Sequence, residues 1–198
     1  MPSKAALHAF LRTRRSIRRF KPDAVPDSVL ADILATATFA PSAHNRQAWR
    51  FYVVTNLSIK TKFAEEMARK FARDLEADEV PQDEIRKRIA RSKNRIIAAP
   101  VVIVLSVDMS EMDVYPDRRR KKNEYIMATQ SVANAGLQLL LAAHAEGLGG
   151  VWVCSPLFAP KVAQKVLNLP KSWEPQAMFF IGYPAEAQTL HARRKPLR

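Results

Sequence analysis

The stretch Glu146-Gly147-Leu148-Gly149-Gly150-Val151-Trp152-Val153-Cys154-Ser155-Pro156-Leu157 decides the architecture. It puts a glycine-rich turn after a helical pattern and before a short β-branched and aromatic run. A dinucleotide-binding fingerprint runs the other way, from strand through glycines into a helix, so regular βαβ repeats are set aside. Three glycines here let backbone approach a ligand closely. Upstream, residues 123–146 carry Ile126, Ala133, Leu137, Leu140 and Leu141 at helical spacing, and Gly147 is a helix-terminating glycine. Downstream, residues 159–168 read as a short helix and residues 177–181 as a strand.

The same reading extends toward the N-terminus. Residues 100–105 (Pro-Val-Val-Ile-Val-Leu) form a buried strand, and residues 58–96 two charged helices broken near Val80-Pro81. Residues 49–54 are aromatic and β-branched, hence a strand. A helix follows Pro26, with Asp27 as N-cap, an apolar stripe of Val29, Leu30, Ile33, Leu34 and Ala37, and Pro41 as its stop. Residues 4–12 form a short amphipathic helix through Leu7, Phe10 and Leu11, and Tyr115, Pro116 and residues 118–122 read as a loop. Four apolar strands interleaved unevenly with helices predict an α+β fold in one domain over residues 1–198.

The chain has 198 residues and a net charge of +13, from 32 basic and 19 acidic side chains. Its 47% hydrophobic content excludes wholesale disorder. No uninterrupted run of about 18 apolar residues marks a membrane span. The start of the chain lacks a secretory pattern, and a lone cysteine suits a reducing compartment; a cytoplasmic location is expected. The charge is concentrated. Seven basic residues and no acidic one fall in residues 1–22, five basic residues run unbroken over 118–122, and the tail adds Arg193, Arg194, Lys195 and Arg198. Half of the basic residues thus sit in three stretches. Either this is a solvated surface attracted to polyanions at large, or both chain ends assemble a pocket for a small phosphorylated ligand.

Three motifs bear on that choice. In Arg14-Arg15-Ser16-Ile17-Arg18, alternate residues of an extended segment point the same way, so Arg14, Ser16 and Arg18 can converge on a phosphate. In Ala40-Pro41-Ser42-Ala43-His44-Asn45-Arg46-Gln47-Ala48-Trp49, a polar loop offers backbone donors, a hydroxyl and two amides beside a tryptophan. An amide pairs with both a ring carbonyl and a ring N–H, which suits a flat heterocycle. The third motif is the glycine stretch with Ser155-Pro156-Leu157.

Together with the tail Arg193-Arg194-Lys195-Pro196-Leu197, these blocks occur in the order in which the nitroreductase-like flavoprotein family carries them, and the chain resembles that family from about Arg12 to Leu197. The resemblance implies a mixed, largely antiparallel sheet flanked by helices, and an intertwined homodimer with FMN at the interface. It implies that Arg14, Arg15, Ser16 and Arg18, with Arg194 and Lys195, bind the phosphate and ribityl chain. It places Pro41, Ser42, Ala43 and Asn45 on the isoalloxazine from the partner subunit, Ser155, Pro156 and Leu157 on its other side, and Asn94 as a further polar ring contact. No catalytic side chain is implied, because the flavin carries the chemistry. The activity implied is FMN-dependent hydride transfer from NADH or NADPH to a nitroaromatic, quinone or similar acceptor.

Within the family, the middle and C-terminal blocks look most like the flavin domain of deazaflavin-cofactor biosynthesis enzymes. That makes a deazaflavin or its precursor the runner-up substrate, ahead of oxygen-dependent consumption of the flavin. A non-enzymatic nucleic-acid-binding domain is the alternative from another class, and it lacks a recognised module. His44 and the run containing Arg118, Arg119 and Arg120 are candidate substrate contacts, the run for an acidic tail. His8, His44, His144 and His191 lack metal-ligand spacing, so no metal site is expected. Cys154 reads as a small buried packing residue, and Trp152 and Trp173 as core.

Overall fold

A computed structural model of the chain describes residues 2–186 and 194–196. Its axis is β2 (Val101–Asp108), whose eight residues are all buried. A strand covered on both faces reads as a continuous apolar run, and Val-Val-Ile-Val-Leu is one. β1 (Trp49–Val54) and β4 (Trp173–Gly182) flank it, and β3 (Gly149–Val153) lies outside β4, giving the order β1-β2-β4-β3. All three strand pairs are antiparallel. Among the described residues the one parallel pairing is an isolated bridge between Ser16 and Gly150 at the β3 edge. Pro175, which has no N–H to give, sits opposite Ser106 where the β2–β4 register shifts.

Helices cover both faces. α2 (Asp27–Ala37) and α5 (Arg118–Ala145) bury Ile103, Leu105, Phe179 and Ile181 on one side. On the other, α3 (Leu57–Ala77), α4 (Gln82–Ala98) and α7 (Pro160–Leu167) bury Val102, Val104, Met178 and Phe180. This is the expected α+β sheet flanked by helices. Lys60 of α3 is buried and its Nζ donates to the carbonyl of Ala99 at 2.7 Å, tying α3 to the end of α4.

Four details differ from the sequence reading. Residues 118–122 are the opening turns of α5 rather than a loop, because the side chain of Asp117 caps the helix by accepting from the Arg120 N–H at 2.9 Å. Pro26 occupies the N-cap of α2, with Asp27 in its first turn. Ser155–Phe158 forms a single extra turn, α6. Cys154 is exposed, not buried. By composition α5 is apolar enough over an 18-residue window to cross a membrane, but half of that window is buried inside the fold. It is the central helix of one layer.

Candidate functional site

The arginine block is held to the sheet edge by steric fit. α1 (Lys4–Thr13) is capped by Ser3 and contains no buried residue, and the first buried side chain comes beyond it. The Ile17 N–H donates to the Gly150 carbonyl at 3.0 Å, and Ile17 is buried. A side chain at Gly149 would put its Cβ 2.6 Å from Ile17 Cβ. A Cβ at Gly150 would meet Leu140 at 2.6 Å and Ile181 at 2.8 Å. These two glycines therefore serve protein packing, and through it they seat the arginines. Gly147, at φ +71°, ends α5 as expected.

Arg14 and Arg15 line a recess of about 260 Å³ together with Thr13, His144, Gly149, Gly150 and Glu186. Arg15 Nη1 folds back onto the carbonyls of Arg12 and Arg14, closing the end of α1. Ser16 and Arg18 are exposed and do not line the recess. Arg194 and Lys195 are exposed as well, whereas Arg193 and Arg198 lie outside the described residues.

The polar loop is built differently. Ala43–Asn45 forms a 3-10 turn, and His44 (φ 50°), Asn45 (φ 54°) and Gln47 (φ 52°) all adopt the left-handed region. Asn tolerates that geometry; for His and Gln it costs about 1 kcal/mol or more each, so the surroundings must impose it. They do so from α5. Ser131 Oγ accepts the Ala43 N–H at 3.0 Å, and Asn134 Nδ2 donates to the Pro41 carbonyl at 3.2 Å. Inside the loop, Ser42 Oγ accepts the Gln47 N–H at 3.2 Å and Asn45 Oδ1 accepts from Gln47 Nε2 at 3.1 Å. Arg46 pairs with Asp113 at 2.6 Å, and the Asp113 N–H donates to the buried Glu124 carboxylate at 3.1 Å. This chain of contacts links the loop to the first turns of α5, where Arg118 and Arg119 are exposed. Arg120 in the same turn pairs with Asp117 and stacks 5.0 Å over Tyr115.

At the far end of β3, Pro156 is buried and Leu157 exposed. Ser155 Oγ is buried without a hydrogen-bond partner among the described residues. It borders two adjoining hollows that also share Phe71 and Ser92. One is apolar, with Met67, Leu75 and Phe158 in its wall; the other is lined by Arg88, Arg91 and Arg95. Those three arginines recur along one face of α4, a spacing the sequence displays and the sequence reading passed over. Asn94, chosen instead, is exposed within α4 and is not in the hollow's wall. Trp152 packs edge-on to Phe179 at 4.9 Å, over Gly136, and its indole N–H donates to Cys154 Sγ at 3.0 Å. A guanidinium-lined recess, an unpartnered buried hydroxyl and an arginine-lined hollow, strung along β3, are a donor set that fits a flat heterocycle ending in a phosphate.

The chain matches the model of the nitroreductase family over residues 11–183. It is 34% identical to the iodotyrosine deiodinase of Haliscomenobacter hydrossis, over 94% of this chain and 83% of that one. It is 30% identical to an NADH dehydrogenase of Thermus thermophilus, over 93% and 89% of the two chains. A solved iodotyrosine deiodinase bound to FMN and 3-iodo-L-tyrosine superposes with a TM-score of 0.74 at 25% identity, over 97% of each chain. With its arginine block, polar loop and glycine-seated sheet edge, the chain belongs to the nitroreductase family.

Proposed function

We propose that this chain is an FMN-dependent oxidoreductase that passes electrons from NADH or NADPH to a small acceptor such as a nitroaromatic or quinone. It acts as a cytoplasmic homodimer of one-domain subunits, each spanning residues 1–198. The observation that carries the cofactor assignment is Ser155: its buried hydroxyl has no partner among the described residues, and such a group is costly unless a ligand satisfies it. Bound FMN supplies the two-electron hydride chemistry.

The side chains divide the binding between them. Arg14, Arg15, Ser16 and Arg18 hold the phosphate end, with Arg194 and Lys195 closing over it. Ser155, Pro156 and Leu157 bound one side of the ring, and Pro41, Ser42, Ala43 and Asn45 of the second copy bound the other. Arg91 and Arg95 add positive charge on the hollow's wall, where it favours a ring that gains electrons. Leu7 and Leu11 of α1 and Ile126 and Leu137 of α5 are 50%, 53%, 41% and 51% exposed, and exposed large apolar side chains of this kind are ones a two-fold partner would cover. His44, Arg118, Arg119 and Arg120 are the acceptor-side contacts, the arginines suiting an acidic group.

Purified protein should be yellow, with flavin near equimolar to subunits, or should become so on addition of FMN. Anaerobic reduction with NADH, NADPH and a reduced deazaflavin in turn then identifies the donor and tests the deazaflavin alternative. A colourless protein that takes up no FMN, yet binds DNA with a steep salt dependence, would overturn the oxidoreductase reading.

A further inference from the structure

His144 stands in the last turn of α5, half-buried, against the first helix and the arginine recess. α1 buries no residue of its own, and its contacts with this ring hold its end to the fold. Phe10 stacks on the His144 ring with centroids 4.9 Å apart and planes 25° from parallel. Thr13 Oγ1 lies 3.1 Å from His144 Nε2. The hydroxyl of Thr13 has a single hydrogen, and that donates to the Phe10 carbonyl at 3.0 Å. With that hydrogen on the Phe10 carbonyl, Oγ1 accepts from Nε2 in the tautomer that carries its hydrogen there, and Nδ1 is then the position for a second proton. One ring thus pins the end of α1, and Arg14 and Arg15 follow directly after it.

We infer that His144 is a positioning residue for the anion recess: it fixes Arg14 and Arg15 through Phe10 and Thr13, and anion binding there is coupled to proton uptake at its Nδ1. This rests on the assignment of the recess to a phosphate group. The charged groups facing the ring are Arg14 and Arg15 from the segment after α1, and Glu186, which shares the recess wall and is itself paired with Arg19 at 3.3 Å. Burial and the charge of Arg14 hold His144 below the ordinary histidine value, the Phe10 backbone pulls it up, and Arg15 pushes it down. The ring is therefore neutral near pH 7. A dianion between the two guanidiniums offsets the field that keeps the second proton away. By reciprocity, the anion then binds more tightly as pH falls through the window just below the ordinary histidine value.

Sulfate is the probe, because it stays doubly charged across this range and needs no cofactor. The full-length chain is titrated with sulfate at several pH values, with the histidine ring protons followed by NMR in its absence and at saturation. The expected result is a roughly tenfold gain in sulfate affinity between about pH 7.5 and about pH 5.5, with the His144 midpoint rising on saturation. His144→Phe keeps the stack and should abolish the pH dependence. His144→Ala loses stack and hydrogen bond, and should weaken sulfate at every pH while speeding amide exchange in residues 4–13. An unchanged His144 midpoint, or the same pH dependence in His144→Phe, overturns the inference; so does a wild-type chain that binds no sulfate. FMN is titrated separately. If sulfate coupling holds and FMN does not bind, only the cofactor assignment falls; if FMN binds and the coupling is missing, only this inference falls.

Discussion

The two halves of the candidate site are held in place by different physics. Residues 14–18 are seated by shape: a buried isoleucine lies over Gly149, and any side chain at that glycine would occupy the same space. Residues 41–47 are seated by polarity: three left-handed residues are held by hydrogen bonds that arrive from Ser131 and Asn134, about ninety positions away in sequence. Close packing fails abruptly when a methyl group is added, whereas a hydrogen-bonded loop fails by increments. Substitutions on the two sides should therefore differ in size and in what they damage.

The largest effect is expected at Gly149. Gly149→Ala forces Cβ to within 2.6 Å of Ile17 Cβ and Cγ1, so the arginine block must lift from the β3 edge. Overpacking of this kind costs about 1–3 kcal/mol, and FMN affinity should fall with it because the phosphate ligands move together. Thermal unfolding and a flavin-fluorescence titration read the two losses in one variant. Arg14→Ala should separate them. Loss of a charge-assisted phosphate contact is worth about 1.5–3 kcal/mol of binding, roughly tenfold or more in affinity, with little change in melting temperature. Equal FMN affinity in wild type and Arg14→Ala would remove that residue from the site.

The same contrast explains what the sequence made legible. The arginine block and the glycines were visible because each is a local cluster with an unusual composition. That Gly149 packs on Ile17, and Gly150 on Leu140 and Ile181, was not visible, since it depends on which edge the block crosses. The β1 bounds and the α3–α4 break at Val80-Pro81 follow from local pattern, whereas β2 runs three residues beyond the expected end at Leu105 and β4 starts four before Ala177. The basic residues 118–122 read as a loop with Tyr115 and Pro116, yet they open α5: the Asp117 side chain caps the helix although five cations at its start oppose the dipole. Arg91 and Arg95 were passed over because α4 carries charge on several faces, and only the packed structure shows which face meets Ser155. The supports of the polar loop, Ser131 and Asn134, look like ordinary polar residues on a long helix. Nothing local marks them.

One of those supports, Ser131, gives the next prediction. Ser131→Ala leaves the Ala43 N–H without its acceptor in a half-buried position, which should cost about 1–2 kcal/mol of stability and slacken the loop. If the loop serves the second copy's cofactor, FMN dissociation should quicken in this variant while the arginine recess still binds sulfate normally. Loss of sulfate binding as well would mean that the two halves of the site are not independent.

The smallest effect belongs to Arg46. Its ion pair with Asp113 is short, 2.6 Å, yet the two side chains are 43% and 40% exposed. Pairs this open to solvent contribute about 0–1 kcal/mol, because water screens them and both side chains lose freedom on pairing. Arg46→Ala should therefore lower the melting temperature barely at all, and added salt should abolish whatever difference remains. The contrast with Ser131→Ala is the informative quantity. Both residues tie the loop to the α5 side of the fold, but one satisfies a backbone group with little access to water and the other a charge that water satisfies nearly as well. A loss at Arg46 as large as that at Ser131 would show that charge, not backbone satisfaction, maintains the strained turn at residues 43–47.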